Sequence, residues 1–576
     1  MRKSFLIILL IFLFPIWPVY AQTGVNALIG NEDIKHWDGI TSTFTRRTST
    51  GGSLTMTPVG NEVDVAVVYK TLGKNETAIN AAVTAIPSGA HARIILGVGS
   101  WTIGSSQDWS AYSNIVWDVA EGALINYGGY NLKFGGTFKA SGKCFSGTGT
   151  LTFSIFEAGL YQVFSGLGYS VAIGSAKEVY PKWWGAVGDG LTDDSTAINA
   201  AIQASPLGGV IVFSPGSVHI IGTSTNVNKK VKLVGSIPAE TTGVTSGVVL
   251  KGKSTLSGAV VIMNAANAIL EGITVDSQTR SAADGISVLA VDTVLRRVTV
   301  INQPRDGIRI GSDSGGASGN TFRLDSVVCR SNTRHGIYIK DFANNANAGT
   351  LTNIDCSLNG GDGLYIQGWN NNVNGLLAEG NTAGGLHLGT NAYFNTIIGG
   401  DLNEGNGTNL LMDAATYPNY LFGVPYGSGI TNNNANTVII NSQKGTWTPV
   451  LTFNSSSTGI TYQASQGQVG EWTRIGNKVY GTGLIQLSSK GSSNGFAQIT
   501  GLAPIFTPAG YPDGNIAISY IANMTGLTGA VHGMVLQGAG TINLYQSSAT
   551  GQAALTDAVF TNTSIIEFSF MYTTAN

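Results

Sequence analysis

The chain has 576 residues, a formal net charge of −2 and 11% charged residues. This near-neutral balance lacks the basic surface that nucleic-acid binding needs, so we expect no nucleic-acid partner. The length exceeds one ordinary hydrophobic core and indicates several domains or an elongated repeat. With 78 glycines and few charges, the composition favours many turns between short strands.

The first residues have the features of an export signal. Two cations precede an apolar run from Phe5 to Phe14, and Ala21 fits a cleavage site, so residues 1–21 are predicted to be a signal peptide. The run is shorter than the roughly 20 residues of a membrane-spanning helix. We therefore expect a secreted, extracellular protein with no membrane span in the mature chain; a retained short anchor is the alternative. Residues 22–60 are polar and predict a loose lead-in.

A glycine-rich turn followed by a helical pattern stands near residue 190. Glycines at 185, 188 and 190 predict tight turns, and Ala197, Ile198, Ala201 and Ile202 fall on one face of a helix. Thr192 or an adjacent Asp could cap that helix. Thr77–Val83 repeats the same pattern roughly 118 residues earlier. The echo predicts two β-helical segments, at 61–178 and 179–427.

The second segment contains a countable repeat of Gly-Ile/Leu-x-apolar, with steps of 22, 29, 27 and 22 residues, at Gly285, Gly307, Gly336, Gly363 and Gly385. An Asn lies four or five positions before the last four glycines, at Asn302, Asn332, Asn359 and Asn381. Such repeats predict stacked coils around one continuous core. Asn at one turn position predicts an amide ladder, because Asn tolerates the left-handed conformation.

The sequence WWGAVGDGLTDDSTAINAAI, followed by GGVIVFSPG, resembles the opening segment of the pectate-lyase-superfamily right-handed parallel β-helices. That family includes pectinases, epimerase-like enzymes and bacteriophage tailspikes. The resemblance implies an all-β fold, a right-handed parallel β-helix with short N-terminal capping helices. It also implies structural roles for Asp189, Asp193 and Asp194. No cofactor is expected with certainty, and calcium binding by these carboxylates is an open alternative.

The texture of the chain changes after residue 427. Residues 428–444 are rich in Asn, Thr and Gly and predict a linker, and residues 445–576 alternate apolar and polar residues as an antiparallel β domain does. GTWTPVLTF, STGITY, WTRIGNKVY and SSKGSSNGFAQITGL resemble the C-terminal domain of phage tail-fibre and tailspike proteins. That resemblance implies a β-sandwich for trimerisation or glycan contact, and therefore a homotrimer.

Aligning the coils on the repeated glycine predicts a column of titratable residues just before it, at Asp284, Asp306, His335 and Asp362. Two positions after the glycine, a second column should face outward, at Ser287, Arg309, Tyr338, Tyr365 and His387. Such a groove suits a polysaccharide: carboxylates move protons at a glycosidic bond and tyrosines stack on sugar rings. We predict His335, Asp306 and Asp362 as catalytic, and Arg309, Tyr338, Tyr365 and His387 as substrate-binding. Ordinary turn chemistry of Asp before Gly is the structural alternative.

A further column should lie two residues before the repeated Asn. It contains Glu379 and Glu404, one coil apart, at a spacing that could serve a retaining glycosidase. The alternative is an ordinary solvated pair. Cys329 and Cys356 should stack as buried free thiols, since parallel side-chain vectors do not favour a disulfide. Three cysteines do not make a metal site, and none is expected.

Two departures from the family bear on activity. The sequence lacks the Asp pairs with Gly-His-Gly of polygalacturonases and the Arg-x-Pro-x-x-Arg run of classical pectate lyases. The leading hypothesis is a secreted carbohydrate-active protein that binds a polysaccharide and cleaves it as a lyase or glycoside hydrolase. The alternatives are a non-catalytic, tailspike-like or adhesin-like trimer that binds a cell-surface glycan, with the virion tail as its location, and a purely structural surface fibre.

Overall fold

The computed structural model describes residues 73–574, except 85, 87–88, 90, 166–169, 236–246, 281–282, 313–317, 341–345, 426–428, 441, 503–513 and 536–539. The predicted signal peptide (1–21) and lead-in (22–60) lie outside the described residues. The chain divides into two compact units between Arg280 and Ser281. Each unit is described by itself.

The first unit opens with helix α1 (Glu76–Thr84), which buries Ala78, Ile79, Ala82 and Val83 at helical spacing. The strands that follow are β1 (Ala92–Leu96), β2 (Gly99–Thr102), β3 (Gln107–Trp109), β4 (Ile115–Val119), β5 (Ala123–Gly128), β6 (Leu132–Ala140), β7 (Phe145–Gly147), β8 (Leu151–Ala158), β9 (Phe164–Ser165) and β10 (Val171–Ser175). They form two parallel sheets in the orders β1-β4-β6-β8-β10 and β2-β5-β7-β9, with β3 beside β6. Successive strands move between the sheets, so the chain winds in coils.

Aromatic rings fill the core of these coils. Phe134 stacks on Phe153 with ring centroids 5.4 Å apart, and Phe138 stacks on Phe156 at 5.9 Å. All four rings are buried. Each buried aromatic side chain contributes about 1.5–3 kcal/mol by leaving water. The stack therefore explains how short strands hold together in this segment.

The rest of the first unit holds the predicted turn and helix. A 3-10 helix (Pro181–Trp184) and helix α2 (Ser195–Ala204) accompany the strands β11 (Asp189–Asp193), β12 (Val210–Val212), β13 (Val218–Ile221), β14 (Thr225–Val227), β15 (Lys232–Val234), β16 (Val248–Gly252), β17 (Val261–Met263), β18 (Ile269–Glu271) and β19 (Ile273–Ser277). Within this unit the parallel orders are β11-β13-β16-β19, β12-β15-β18 and β14-β17. Helix α2 buries the predicted face.

The two helices of the sequence echo each contain an asparagine at the same position of the repeat, Asn80 in α1 and Asn199 in α2, and both use it in the same way. The Asn80 amide accepts from the Trp109 indole at 2.7 Å and donates to Gln107 at 2.9 Å. The Asn199 amide accepts from the Asn226 N–H at 2.9 Å and donates to the Ser224 carbonyl. Each asparagine thus ties its helix to the coil that follows. The echo between the two stretches is therefore structural as well as sequential.

The carboxylates at the start of α2 bind backbone amides. Asp193 Oδ1 accepts the Ser195 N–H at 3.2 Å, although Asp193 and Thr192 both lie within β11 and neither occupies the N-cap position. Asp194 occupies the N-cap position but accepts instead from the Val187 and Gly188 N–H groups, at 2.8 and 2.9 Å. Asp189 accepts from two amides and the Thr192 hydroxyl. These contacts fit structural roles, and the described residues contain no group of three or more His, Cys, Asp and Glu arranged to hold a metal.

The second unit begins with stacked coils. Their strands are β20 (Ile286–Val288), β21 (Val294–Arg296), β22 (Thr299–Ile301), β23 (Ile308–Ile310), β24 (Arg323–Arg330), β25 (Ile337–Ile339), β26 (Thr350–Asp355), β27 (Leu364–Ile366), β28 (Asn372–Leu377), β29 (Gly384–Leu388), β30 (Thr396–Asp401), β31 (Thr408–Met412), β32 (Tyr420–Phe422), β33 (Ile430–Asn432) and β34 (Val438–Ile440). Two parallel sheets result, in the orders β20-β23-β25-β27-β29-β31-β33 and β22-β24-β26-β28-β30-β32-β34, with β21 beside β24. These long parallel sheets confirm the predicted β-helix.

The predicted amide ladder exists, with one residue corrected. The Asn332 N–H donates to Asn359 Oδ1 at 3.1 Å, and Asn359 and Asn381 continue the pattern to Asn406. Asn302 was wrongly included: the Gln303 N–H donates to Asn332, while Asn302 is exposed with φ 57°. Its spacing of five from the glycine, not four, marked the difference. The left-handed conformation belongs to Asn302 and not to the ladder residues, which are held by their buried amides.

A second amide ladder was missed in the sequence. The Asn371 N–H donates to Asn395 Oδ1 at 2.9 Å, and the Asn395 N–H donates to Asn419 Oδ1 at 3.1 Å. The equal spacing of 24 residues was the signal that could have found it. The prediction of free thiols is confirmed, because Cys329 and Cys356 are buried and unbonded. Burial and the neighbouring Cys329 raise the pKa of the Cys356 thiol well above its usual value.

The second unit ends in an antiparallel sheet. Its strands are β35 (Ser442–Trp447), β36 (Val450–Phe453), β37 (Ile460–Tyr462), β38 (Gln468–Ile475), β39 (Lys478–Lys490), β40 (Ala497–Thr500), β41 (Gly514–Ala522), β42 (Val531–Val535), β43 (Ile542–Ser548), β44 (Gly551–Ala554) and β45 (Ile565–Thr573), with a 3-10 helix at Asp557–Val559. The sheet runs β35-β38-β39-β45-β41-β42-β43-β40-β36, with β37 beside β39 and β44 beside β43. Thr448 and Pro449 connect β35 and β36, the two end strands of this order, and the sheet buries an apolar core that includes Leu451 and Phe568. The predicted antiparallel class is confirmed.

Neither α1 nor α2 is long and apolar enough to cross a bilayer, and the described ranges hold no other helix that is.

Candidate functional site

The predicted columns lie where the repeat placed them. Arg309 pairs with Tyr338, Tyr338 with Tyr365, and Tyr365 with His387 in the parallel register of β23, β25, β27 and β29. The preceding column follows the same register, since the Gly307 N–H donates to the His335 carbonyl and the Gly336 N–H to the Asp362 carbonyl. Both columns belong to the second unit.

The first coils of the column are held by arginine clamps. Arg305 Nε donates to Asp284 Oδ1 at 2.6 Å while its Nη2 pairs with Oδ2, and Arg334 binds Asp306 in the same two-pronged way, with Nε at 2.7 Å from Oδ1. The hydrogen bonds that Arg334 donates to Asp306 raise the pKa of Arg334. Asp306 is 0% exposed. Its two oxygens are occupied and shielded, so the structure gives this predicted catalytic residue a structural position instead.

The clamp pattern stops at the next coil. Gly361 occupies the column position of Arg305 and Arg334, and its N–H donates to the Arg334 carbonyl. A Cβ at Gly361 would lie 2.8 Å from that carbonyl oxygen and 2.9 Å from His335 Nδ1. No side chain fits there without displacement. In the clamps each arginine binds the aspartate of the preceding coil, so the partner of Asp362 would stand one coil after Gly361, where the Ala383 N–H donates to the Gly361 carbonyl. Alanine cannot clamp the carboxylate, and histidines contact Asp362 instead.

Asp362 lies between two imidazoles. Its Oδ2 is 3.3 Å from His335 Nδ1 and 3.1 Å from His387 Nδ1, and its side chain is 5% exposed. Burial alone would raise the pKa of Asp362, but hydrogen bonds and positive charge from the two histidines lower it overall. The carboxylate is therefore held as an anion in a protein interior. Such a group can orient the His387 ring and stabilise its protonated form.

The protonation of His335 follows from its backbone contact. The Asp362 N–H donates to His335 Nδ1 at 3.0 Å. A backbone amide keeps its proton, so Nδ1 is the acceptor and the ring proton lies on Nε2. The 3.3 Å approach of His335 Nδ1 to Asp362 Oδ2 is then not a hydrogen bond, because Nδ1 carries no proton to donate. His335 Nε2 bonds to no described residue, so it presents an N–H donor outward and is not a ready base.

His387 continues the cluster to a carboxylate in the next coil. Its Nε2 is 3.3 Å from Asp413 Oδ2, and its ring stacks on Tyr365 with centroids 4.2 Å apart. Burial alone would lower the pKa of His387, but hydrogen bonding to Asp362 and the two carboxylate charges raise it. His387 thus lies between two carboxylates that favour its protonated form. The Asp413 side chain is 33% exposed and is the substrate-accessible end of this series.

We call His335, Asp362, His387 and Asp413 the His–Asp cluster. Asp413 was not singled out in the sequence, because it follows the last counted repeat and precedes no glycine. The register would have found it: Leu388 pairs with Met412, so Asp413 comes directly beside the glycine that follows Leu388. Extending the repeat by one coil was the missing step.

The tyrosines do not serve as sugar platforms, contrary to the prediction. Tyr365 is stacked on Tyr338 at 4.9 Å on one side and on His387 on the other, so both of its faces are covered. Tyr338 is buried, with the Arg334 guanidinium 5.3 Å from its ring centre. Burial raises the pKa of Tyr338 to about 12. The two hydroxyls instead meet Gln367, which accepts from Tyr338 at 2.6 Å and donates to Tyr365 at 2.8 Å.

Arg309 keeps its predicted register but is buried and does not face outward. Its side chain is buried, with Nη1 4.0 Å from Asp284 Oδ2. A guanidinium in that position extends the clamp network and does not line an open groove. Alternation in a strand predicted an outward position, but strands β23 and β25 are buried on both faces. Of the predicted substrate-binding residues, His387 alone joins the His–Asp cluster.

The predicted glutamate pair lies apart from this cluster. The Gly380 N–H donates to the Glu404 carbonyl, which places Glu379 and Glu404 about one coil apart as expected. Glu379 is half-buried and Glu404 is exposed. In the described part of the chain, neither carboxylate contacts the His–Asp cluster. The pair fits the solvated alternative better than a catalytic role.

A buried Ser–His–Asp series in the first unit is structural. His219 Nδ1 is 2.7 Å from Asp194 Oδ2, and Nε2 is 2.9 Å from Ser217 Oγ. The serine hydroxyl donates to the Ser214 carbonyl at 2.7 Å, so it is directed away from the imidazole. The adjoining cavity has a volume of about 10 Å³, no more than one water needs. No substrate carbonyl could enter, so these residues anchor the turn before α2.

The larger concavity, about 500 Å³, lies on the C-terminal antiparallel sheet. Glu471, Thr482, Ser569 and Met571 are among its lining residues. It lacks any imidazole or paired carboxylates. It can offer contact surface to a ligand but not the proton transfer that the His–Asp cluster can supply.

The fold and the cluster together define a parallel β-helix protein with a titratable site on its coils. The family of rhamnogalacturonase A/epimerase, pectate lyase-like proteins matches residues 182–398. The match covers less than half of the chain and indicates a pectate lyase-like β-helix over these residues. The match covers His335, Asp362 and His387 but ends before Asp413.

Solved structures with similarity to the chain include tailspikes and an epimerase. The Dettilon tailspike protein gp208 is 15% identical with a TM-score of 0.28, over 69% of this chain and 95% of that one. The tailspike gp49 of Acinetobacter baumannii bacteriophage Fri1, a capsular polysaccharide depolymerase, is 10% identical with a TM-score of 0.28, over 69% and 86%. The A-module of the Azotobacter vinelandii mannuronan C-5 epimerase AlgE4 is 10% identical with a TM-score of 0.29, over 63% and 95%. The comparison with curated proteins found no match.

Proposed function

We propose that the chain cleaves a polysaccharide at the His–Asp cluster. One observation carries this proposal: the column that holds the arginine-clamped Asp284 and Asp306 continues with His335 and Asp362, and Asp362 contacts His335 and His387 where the clamped aspartates contact arginines, with the accessible Asp413 beside His387. Arginine clamps already satisfy a structural need. Histidines between carboxylates add groups that can gain and lose protons near neutral pH.

The proposed roles follow from accessibility. Asp413 acts as the base, because its side chain is the more exposed of the two carboxylates in the cluster. His335 Nε2–H donates to the leaving oxygen, where negative charge develops. Asp362 is a positioning residue for both imidazoles. In hydrolysis, Asp413 takes a proton from the water that attacks the anomeric carbon, the glycosidic C–O bond breaks, and the leaving oxygen, hydrogen-bonded by His335 Nε2–H, takes a proton from solvent water. In β-elimination, Asp413 takes the proton from the carbon beside a uronate carboxyl, a carbon–carbon double bond forms as the C–O bond to the leaving oxygen breaks, and that oxygen again takes a proton from solvent water.

The non-catalytic alternative, a glycan-binding tailspike-like or adhesin-like trimer, also has an observation in its favour. Tyr338, Tyr365 and Arg309 are packed against protein groups, so much of the predicted groove is already satisfied internally. A surface built for rigidity, with the C-terminal concavity as a contact surface, fits a binder. Trimerisation, export through the predicted signal peptide, and the domain boundaries given above remain predictions. Light scattering on the mature chain tests the trimer.

The test of the proposal is a substrate panel. The protein from Gln22 onward is incubated with acidic and neutral polysaccharides, with and without calcium. New reducing ends and the ultraviolet absorbance of unsaturated sugars are followed together, so that hydrolysis and elimination are separated. Cleavage that is lost in His387→Gln and kept in Asp401→Asn, a half-buried carboxylate outside the cluster, supports the proposal. Retention of a polysaccharide without any cleavage favours the binding alternative.

A further inference from the structure

A group of aromatic side chains lies one turn beyond the cluster. Trp369, Tyr393 and Tyr417 occupy one register position in successive coils, three residues before Asn372, Thr396 and Tyr420, which pair in order. Trp369 stacks on Tyr393 with centroids 5.7 Å apart, and Phe394 lies 5.2 Å from Tyr417. We call Trp369, Tyr393, Phe394 and Tyr417 the aromatic ladder.

The aromatic ladder is open to solvent at one end. Phe394 is 38% exposed and Tyr417 is 48% exposed. Contiguous exposed apolar side chains often mark an interaction site, whereas single scattered ones are ordinary. The residues around it, 368–372, 390–396 and 414–420, include Asn, Thr and Tyr but no Asp, Glu, Lys or Arg. This composition does not match a charged partner.

Phe394 occupies a position that strains its backbone. Its φ is 55°, in the left-handed region where bulky residues are genuine outliers. The same corner position in the preceding coil is Asn370, with φ 56°, a residue type that accepts this conformation readily. Packing of the coil does not require a phenyl ring here, since Asn370 makes the same turn. A strained, exposed aromatic residue is more economically explained by a ligand than by folding.

The ladder is continuous with the candidate site. Tyr365 and Gln367 of the site precede Trp369 in one coil, and His387 precedes Tyr393 in the next. Gly389 keeps the connecting surface low, because a Cβ there would lie 2.9 Å from the Tyr365 ring and 3.1 Å from Gln367. A chain-like ligand bound at the His–Asp cluster could therefore extend over the ladder without obstruction by a side chain at this glycine.

We infer that the aromatic ladder binds uncharged sugar rings of a polysaccharide, with Phe394 and Tyr417 stacking on their apolar faces. Aromatic rings and neutral amides without charges are the groups that suit a pyranose surface. The inference rests on the proposed function, since the ladder would hold the chain on which the cluster acts. It adds a binding surface outside the reacting groups, and with it a preference for long over short substrates.

The test is Phe394→Asn, compared with Phe422→Asn as a control. Phe422 is also 38% exposed and lies on β32 outside the ladder. Retardation of each protein is measured by native electrophoresis in gels containing hydroxyethylcellulose, xylan, glucomannan or polygalacturonate. We expect Phe394→Asn to weaken retention about three- to tenfold, the range of one aromatic stacking contact. Its melting temperature should equal or exceed that of the wild type, because asparagine relieves the backbone. Phe422→Asn should retain wild-type binding.

Tyr417→Ala provides a second variant and should weaken retention by a similar factor. Wild-type retention of both ladder variants overturns the inference. So does a change in oligomeric state without a change in retention, because the ladder would then be a contact between copies of the chain. Cleavage of short oligosaccharides separates the two proposals: ladder variants should keep it, whereas cluster variants should lose it. Retention without any cleavage leaves the ladder supported and the proposed function refuted.

Discussion

The arginine clamps and the His–Asp cluster follow one another along the stacked coils and give the buried aspartates of one column different partners. In the clamps, Arg334 occupies both oxygens of a fully buried Asp306. In the cluster, histidines leave a donor at His335 and a carboxylate at Asp413 in reach of solvent. The repeat fixes where side chains stand, but residue type decides whether a position is inert or reactive.

The largest expected effect comes from breaking a clamp. Asp306→Ala removes a fully buried carboxylate that accepts from the Arg334 guanidinium, whose side chain is 41% exposed, and from the His335 N–H, and such a loss costs about 1–3 kcal/mol. We expect a lower midpoint of denaturant unfolding. The exposed Arg296 and Asp325 pair, 3.3 Å apart, is the control, and Asp325→Ala should cost less than about 1 kcal/mol. A stable Asp306→Ala protein without cleavage activity would restore the catalytic role predicted for Asp306.

Much of this contrast could be read from the sequence, and part of it could not. The glycine repeat gave the correct register for Arg309, Tyr338, Tyr365 and His387, because a parallel stack keeps each coil in line. It did not reveal burial. Outward positions of a single strand are exposed only if nothing packs on them, and stacked rings with an arginine cover Tyr338 here.

The partner of each buried aspartate was the second feature that the sequence could not predict. Asp306 and Asp362 occupy equivalent positions before a glycine, yet one meets an arginine and the other two histidines. The difference depends on residues one coil away, 22 to 29 positions along the chain in the counted repeat. Asn302 shows the same limit at smaller scale, since a one-residue change in loop length moved it out of the ladder.

A side chain at Gly361 should displace His335 of the cluster while leaving the side-chain hydrogen bonds of the arginine clamps in place. In Gly361→Ala, the added Cβ meets the Arg334 carbonyl oxygen and His335 Nδ1 at under 3 Å. Overpacking of this kind costs about 1–3 kcal/mol. We expect both a lower melting temperature and a slower cleavage rate. Gly142→Ala serves as the control, because the nearest atom to its new Cβ belongs to the flexible Glu121 side chain, 3.7 Å away. Gly399→Ala would be a poor control, because Gly399 has a positive φ. Equal effects of both variants would contradict the account.

The pH dependence of stability should differ between His387 and its replacement. The pKa of His387 is raised, so its contribution is fully present below its ordinary pKa of about 6.5 and is lost as the pH rises through the higher folded value. The melting temperature of the wild type should therefore fall more steeply than that of His387→Gln as the pH rises above neutrality. Parallel curves would show that His387 is not held between Asp362 and Asp413.

Acid should act on the partner in the opposite sense. The pKa of Asp362 is lowered, so its contribution is present above its ordinary pKa of about 3.9 and is lost as the pH falls through the lower folded value. Asp362→Asn should flatten the acid limb of the stability curve. An unchanged acid limb would mean that the carboxylate gains nothing from the histidines.

The smallest expected effect concerns the hydroxyl of Tyr365. Tyr365→Phe removes the hydrogen bond from Gln367 and keeps the ring stack, so it should cost about 1 kcal/mol in the free energy of unfolding. Cleavage should continue at close to the wild-type rate, because the hydroxyl is engaged by Gln367. A loss of cleavage of tenfold or more would assign the Tyr365 hydroxyl a role in the reaction.

The central claim is that the His–Asp cluster performs the reaction and the clamps do not. The most direct measurement is the initial rate of cleavage by Asp413→Asn, on whichever polysaccharide the wild type cleaves, alongside its melting temperature. Loss of a general base predicts a rate lower by about 100-fold or more, with a melting temperature close to that of the wild type. A wild-type rate from folded Asp413→Asn protein would contradict the claim.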